Sequence, residues 1–68
     1  MGFRDARLAA DMSGAEVAEV LGISRQAVNH WEIGKAMPEA DKLLKLAALY
    51  NCRVEDLLIG NPNKEAVQ

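Results

Sequence analysis

The chain has 68 residues, half of them hydrophobic, and a formal net charge of −2. A chain of this length is expected to form one domain that buries only about 60% of its unfolded surface, and the lone Cys52 and lone His30 exclude an internal disulfide and a zinc cluster. The acidic balance argues against indiscriminate attraction to phosphate polymers, and no apolar run reaches the roughly 18 residues of a membrane span.

Residues 3 to 11 are rich in Ala, Leu and Arg and lack Gly and Pro, which predicts a first helix with Phe3, Ala6 and Ala10 facing inward. Ser13 and Glu16 form the S-x-x-E pattern of a capping box, so a second helix starts there, with Met12 and Val17 placed to staple it. From Gly14 to Ile33, GAEVAEVLGISRQAVNHWEI, the apolar residues are spaced as two short helices crossing at a tight turn. Gly22 supplies the bend and Ala18 the room for close approach.

Ser24 is a good N-cap for the third helix and Gly34 a good stop. On that helix, at about 100° per residue, Val28 and Trp31 point to one side, while Arg25, Gln26, Asn29 and His30 spread over the other. One face is buried and the other is free to read something. Met37-Pro38 bars helical continuation, so Lys35 to Pro38 is a loop. A fourth helix is expected from about Glu39 to Tyr50, with Ala40, Leu43, Leu44, Ala47 and Tyr50 or Asn51 on its apolar stripe. Asn51 suits a left-handed end.

A last short helix, about Val54 to Ile59, turns Val54, Leu57 and Leu58 inward and places Glu55 and Asp56 in its first turn, where the helix dipole favours them. Gly60 ends it. The tail NPNKEAVQ carries turn signals and few apolar residues, so a domain over 1–60 and a flexible tail over 61–68 are expected. No strand pattern of period two occurs, and the fold class is all-α.

From Phe3 to Gly60 the order of signals resembles the phage-repressor and Cro-type helix-turn-helix family, also called the xenobiotic-response-element family. The segments that carry the likeness are EVAEVLGISRQAVNHWEIGK, then a proline, then LLKLAALYNCRVEDLL. The resemblance implies a compact five-helix bundle whose third helix, about 24–33, enters the DNA major groove, usually as a homodimer on a two-fold-related operator. It puts base reading on Arg25, Gln26 and His30, with Asn29 beside them. Arg grips guanine O6 and N7 with two donors, and Gln pairs its amide with adenine. It puts phosphate contacts around Ser13, Gly14, Ser24 and Lys35, which neutral donors and helix starts provide without net positive charge. It also implies a partly buried ion pair between Arg7 and Glu32.

Three positions depart from the family pattern. Gly14 stands where many members have a phosphate-touching Gln, Ile33 where Asn is common, and Arg53 where a capping Ser or Asp is usual. The first two imply weaker binding per subunit.

The positively charged block, +1 over residues 23 to 38, holds the third helix and its loop, whereas residues 13 to 22 carry −2. The leading expectation is a cytoplasmic, sequence-specific regulator of transcription, a repressor that binds double-stranded DNA as a homodimer through a surface near Leu58 and Ile59. The alternative is a protein-binding module, such as an antitoxin or co-regulator subunit, that keeps the fold with weak DNA affinity. Neither an enzyme nor a cofactor protein is expected, because His30 and Cys52 sit on different elements with no partner set around them. Cys52 itself reads as a small buried hydrophobe.

Overall fold

Four of the five helices among the described residues end in the same way. The computed structural model describes residues 2–59, with α1 at Phe3–Ala9, α2 at Gly14–Leu21, α3 at Arg25–Glu32, α4 at Ala40–Leu49 and α5 at Val54–Leu58. The tail expected over 61–68 lies outside the described residues. Asp11, Gly22, Gly34 and Asn51 take positive φ angles of 60°, 71°, 81° and 56°. At each of them two backbone bonds close the helix: Met12 N–H to Arg7 O at 3.2 Å, Ile23 to Ala18 at 2.9 Å, Lys35 to His30 at 2.8 Å and Cys52 to Ala47 at 3.0 Å are the longer-range member of each pair. This is the Schellman arrangement, which satisfies carbonyls that the helix leaves without partners.

The residue after each left-handed position then leaves the helix axis sharply. Met12, Ile23 and Cys52 occupy that place after α1, α2 and α4, and all three pack against the core. Lys35 occupies it after α3 and is exposed. The exit from α3 is therefore the one of these four that projects a charged side chain into solvent.

Helix starts follow the sequence more directly. Ser13 Oγ accepts from Glu16 N–H at 3.1 Å while Glu16 accepts from Ser13 N–H at 2.8 Å, a complete capping box. Ser24 Oγ accepts from Ala27 N–H at 3.1 Å and starts α3. Arg53 has no side-chain acceptor, so α5 keeps only half a box, in which the Asp56 carboxylate accepts from Arg53 N–H at 3.2 Å.

The core is built from Phe3 and Ala6 of α1, Val17 and Ala18 of α2, Val28 and Trp31 of α3, Leu46 and Ala47 of α4, Tyr50, and Leu57 of α5. Phe3, Val17, Leu46 and Leu57 are the largest fully buried side chains, and truncating such a residue to Ala costs about 2–5 kcal/mol. α2 packs on α3, while α1 touches both α3 and α5 and so ties the two ends of the fold together.

The end of α1 and the buried face of α4 differ from the sequence expectation. α1 stops at Ala9 rather than 11, because Asp11 adopts the left-handed conformation that Asp tolerates better than most residues. α4 buries Leu46, Ala47 and Tyr50 with Leu43 packed beside them, whereas Leu44 is 63% exposed and Ala40 is exposed. Leu43, Ala47 and Tyr50 are common to the expected and the observed stripe, and Leu46 takes the place of Leu44, so the buried face is shifted by roughly 50°, about half the step between successive residues. Seven of the eight residues from Leu43 to Tyr50 are apolar, so the pattern shows a helix without marking which side faces in.

Candidate nucleic-acid interface

α3 is held by its apolar side and bare on the other. Val28 and Trp31 are buried at 2% and 7% exposure, and their spacing of three places them on one side of the helix. Arg25, Gln26 and Asn29 are exposed, and no side-chain hydrogen bond or ion pair within the described residues engages them. His30 is half-buried and Ile33, just past the helix, is 52% exposed. The polar face is thus widest in the first turn and a half of α3 and narrows towards its end.

The turn before α3 explains this presentation. Gly22 at φ 71° carries the chain from α2 into Ile23 and Ser24, and the buried Ala18 lets the two helices approach. Ser24 and Ser13 each accept a capping hydrogen bond through Oγ, which leaves the hydroxyl proton of each free to be donated outward.

α1 fixes α3 from the other side. Arg7 Nε donates to Glu32 Oε2 at 2.6 Å and Arg7 Nη2 donates to Glu32 Oε1 at 3.3 Å, a two-pronged ion pair whose side chains are 13% and 7% exposed. Arg7 Nη1 donates to the carbonyl of Met12 at 2.9 Å. The hydrogen bond to Glu32 raises the pKa of Arg7 against the opposing effect of burial. Nearby, burial pushes the Tyr50 phenol up to about 12, and the Glu32 carboxylate adds to the rise while Arg7 opposes it.

Between α1, α2 and α3 lies a depression of about 450 Å3. Arg25, Gln26 and Asn29 of α3 line it together with Gly14 of α2 and Arg4 of α1. The structure therefore brings four of the expected DNA-contact residues to one concavity, which the Arg7–Glu32 pair also lines. Ser13 lies on a different recess with Met12 and Glu16. Ser24, His30 and Lys35 lie outside the depression, with Ser24 and Lys35 exposed.

Arg4 has no place in the reading made from sequence. Its spacing of three from Arg7 puts the two on one face of α1, the signal in the chain by which it could have been found. Near the other end of the fold Leu58 is half-buried and packs against the core, while Ile59 is 63% exposed. Cys52 is half-buried, and burial raises its thiol pKa, which favours the protonated and less reactive form.

No curated protein and no solved structure matches the chain. A family model described as helix-turn-helix matches residues 3–57, a span that takes in the capped α2, the Gly22 turn, the bare-faced α3 and most of the helices that hold them. With this match and this geometry, the chain belongs to the helix-turn-helix family of DNA-binding proteins of the phage-repressor and Cro type.

Proposed function

We propose that the protein is a sequence-specific transcriptional repressor that lays α3 in the major groove of double-stranded DNA. The observation that carries this is the unengaged polar face of Arg25, Gln26 and Asn29, on a helix clamped from behind by Trp31 and by the Arg7–Glu32 pair. A bidentate contact of Arg25 to guanine or of Gln26 to adenine is worth about 1–3 kcal/mol of discrimination. His30 and Asn29 extend the reading surface, and Ser13, Gly14, Ser24 and Lys35 hold the backbone on either side.

The protein acts as a homodimer in the cytoplasm, with Ile59 and the edge of Leu58 as the subunit contact. One short helix covers too few base pairs for useful specificity, and two copies about 34 Å apart reach successive turns of one DNA face. Bound across a promoter, such a dimer excludes the transcription machinery.

Selection from random duplexes with purified protein tests this reading. An enriched motif with two related halves, altered when Arg25 and Gln26 are replaced by Ala, is the expected result. No enrichment, or a motif indifferent to both replacements, removes it.

The net charge of −2 supports a second reading, a protein-binding module with weak DNA affinity. Salt titration separates the two, because each neutralised phosphate contributes about 0.9 to the slope of log affinity against log salt. The DNA reading requires a shallow but finite slope, of about 2 to 3 phosphates per subunit.

A further inference from the structure

Arg4 and Arg7 share a face of α1 but are used differently. Arg7 is committed to Glu32 and to the Met12 carbonyl. Arg4 is exposed, lines the same depression as Arg25, and has no carboxylate partner among the described residues. The carboxylate that lines the same depression, Glu32, is already neutralised by Arg7. Two guanidiniums therefore border one concavity with no carboxylate among the described residues paired to either. Gly14 leaves the concavity open, since a Cβ built there would meet nothing within 4 Å.

A concave site bordered by uncompensated guanidiniums takes an anion with planar or tetrahedral oxygens. The base-reading candidates of α3 line the same depression, so duplex DNA brought to them carries its own backbone phosphates to Arg4. Contacts of this kind fix register and orientation without reading sequence.

We propose that Arg4 is a positioning residue that grips one DNA backbone phosphate seated in this depression and so anchors the domain on the duplex without reading sequence. The proposal rests on the reading of α3 as a DNA-reading helix. Arg25, on the reading helix itself, is divided between bases and backbone. Arg4, on α1, serves the backbone alone.

The test compares the full chain with Arg4→Gln, Arg4→Lys and Arg25→Ala, each titrated against the duplex enriched by selection and against an unrelated duplex of equal length. Arg4→Gln is expected to weaken binding to both duplexes by the same factor, leave base preference unchanged and lower the salt slope by about 0.9. The advantage of the unmodified protein over it then shrinks about threefold to fourfold between roughly 50 and 200 mM salt. Arg4→Lys keeps the charge and restores the slope, which a purely structural role for Arg4 would not require.

If Arg4→Gln matches the unmodified protein in affinity and slope while Arg25→Ala still loses base preference, the role of Arg4 is overturned and the DNA reading stands. A changed base preference in Arg4→Gln also overturns it, by making Arg4 a base reader. If the unmodified chain binds neither duplex, both readings fall together.

Discussion

Arg7 and Glu32, separated by 25 positions in the chain, meet at 2.6 Å through Nε and Oε2, and the same guanidinium donates to the Met12 carbonyl at 2.9 Å. One side chain of α1 thus holds the end of α3 and the exit of α1 towards α2. The pair is well enough buried that removing one partner leaves the other uncompensated. Glu32→Gln is expected to lower stability by about 3 kcal/mol in urea denaturation, whereas the joint replacement Arg7→Met with Glu32→Leu costs much less. A loss below about 0.5 kcal/mol for Glu32→Gln would mean that the pair behaves as an exposed one.

Tyr50 gives the fold a sensitivity to high pH. Its phenol titrates near 12 in the folded protein because burial and the Glu32 carboxylate disfavour the phenolate, against about 10 in the unfolded chain. Between those values the folded state holds a proton that the unfolded state has lost, so stability falls as pH rises. The contribution is fully present below about pH 10 and disappears by about pH 12. Tyr50 is the single tyrosine, so tyrosinate absorbance reads it directly. Denaturation midpoints that stay flat across this window, after Tyr50→Phe is subtracted, would contradict the assignment.

Two glycines respond in opposite directions to the same replacement. Gly22 sits at φ 71°, so Gly22→Ala is strained although there is open space around it, and a loss of about 1 kcal/mol is expected. Gly14 begins α2 with a negative φ and nothing within 4 Å of an added Cβ. Gly14→Ala is therefore expected to add about 0.5 kcal/mol. Thermal denaturation of the two variants checks both signs.

Ser24 allows the cap to be separated from the proposed phosphate contact. Asp caps helices about as well as Ser, so Ser24→Asp leaves stability within a few tenths of a kcal/mol while placing a carboxylate beside the DNA backbone. Affinity for the selected duplex is expected to fall on the order of tenfold, equivalent to about 1.4 kcal/mol. Ser24→Ala shows the complementary pattern, with about 1 kcal/mol of stability lost. Unchanged affinity in Ser24→Asp would place the phosphate elsewhere.

Local chemistry made much of the fold legible. The capping box at Ser13, the N-cap at Ser24, the bend at Gly22 and the left-handed ends at Gly34 and Asn51 each depend on a few neighbouring atoms, and those neighbours are adjacent in the chain. The inward side of α3 was equally clear, because Val28 and Trp31 stand among polar residues that leave one phase for the helix. α4 had no such contrast, and Leu44, expected inside, lies outside.

What residue order determined, then, is where each helix starts and stops, and which side of α3 is bare, since both follow from bonds and spacings within one or two turns. Which side of α4 is buried, and that Arg4 shares a concavity with Arg25, were decided only when α1, α2 and α3 closed around one core. The reason is physical: a helix whose apolar residues cover more than half of its circumference takes its final rotation from whatever it packs against, and a surface site assembled from three helices exists only once those helices have docked.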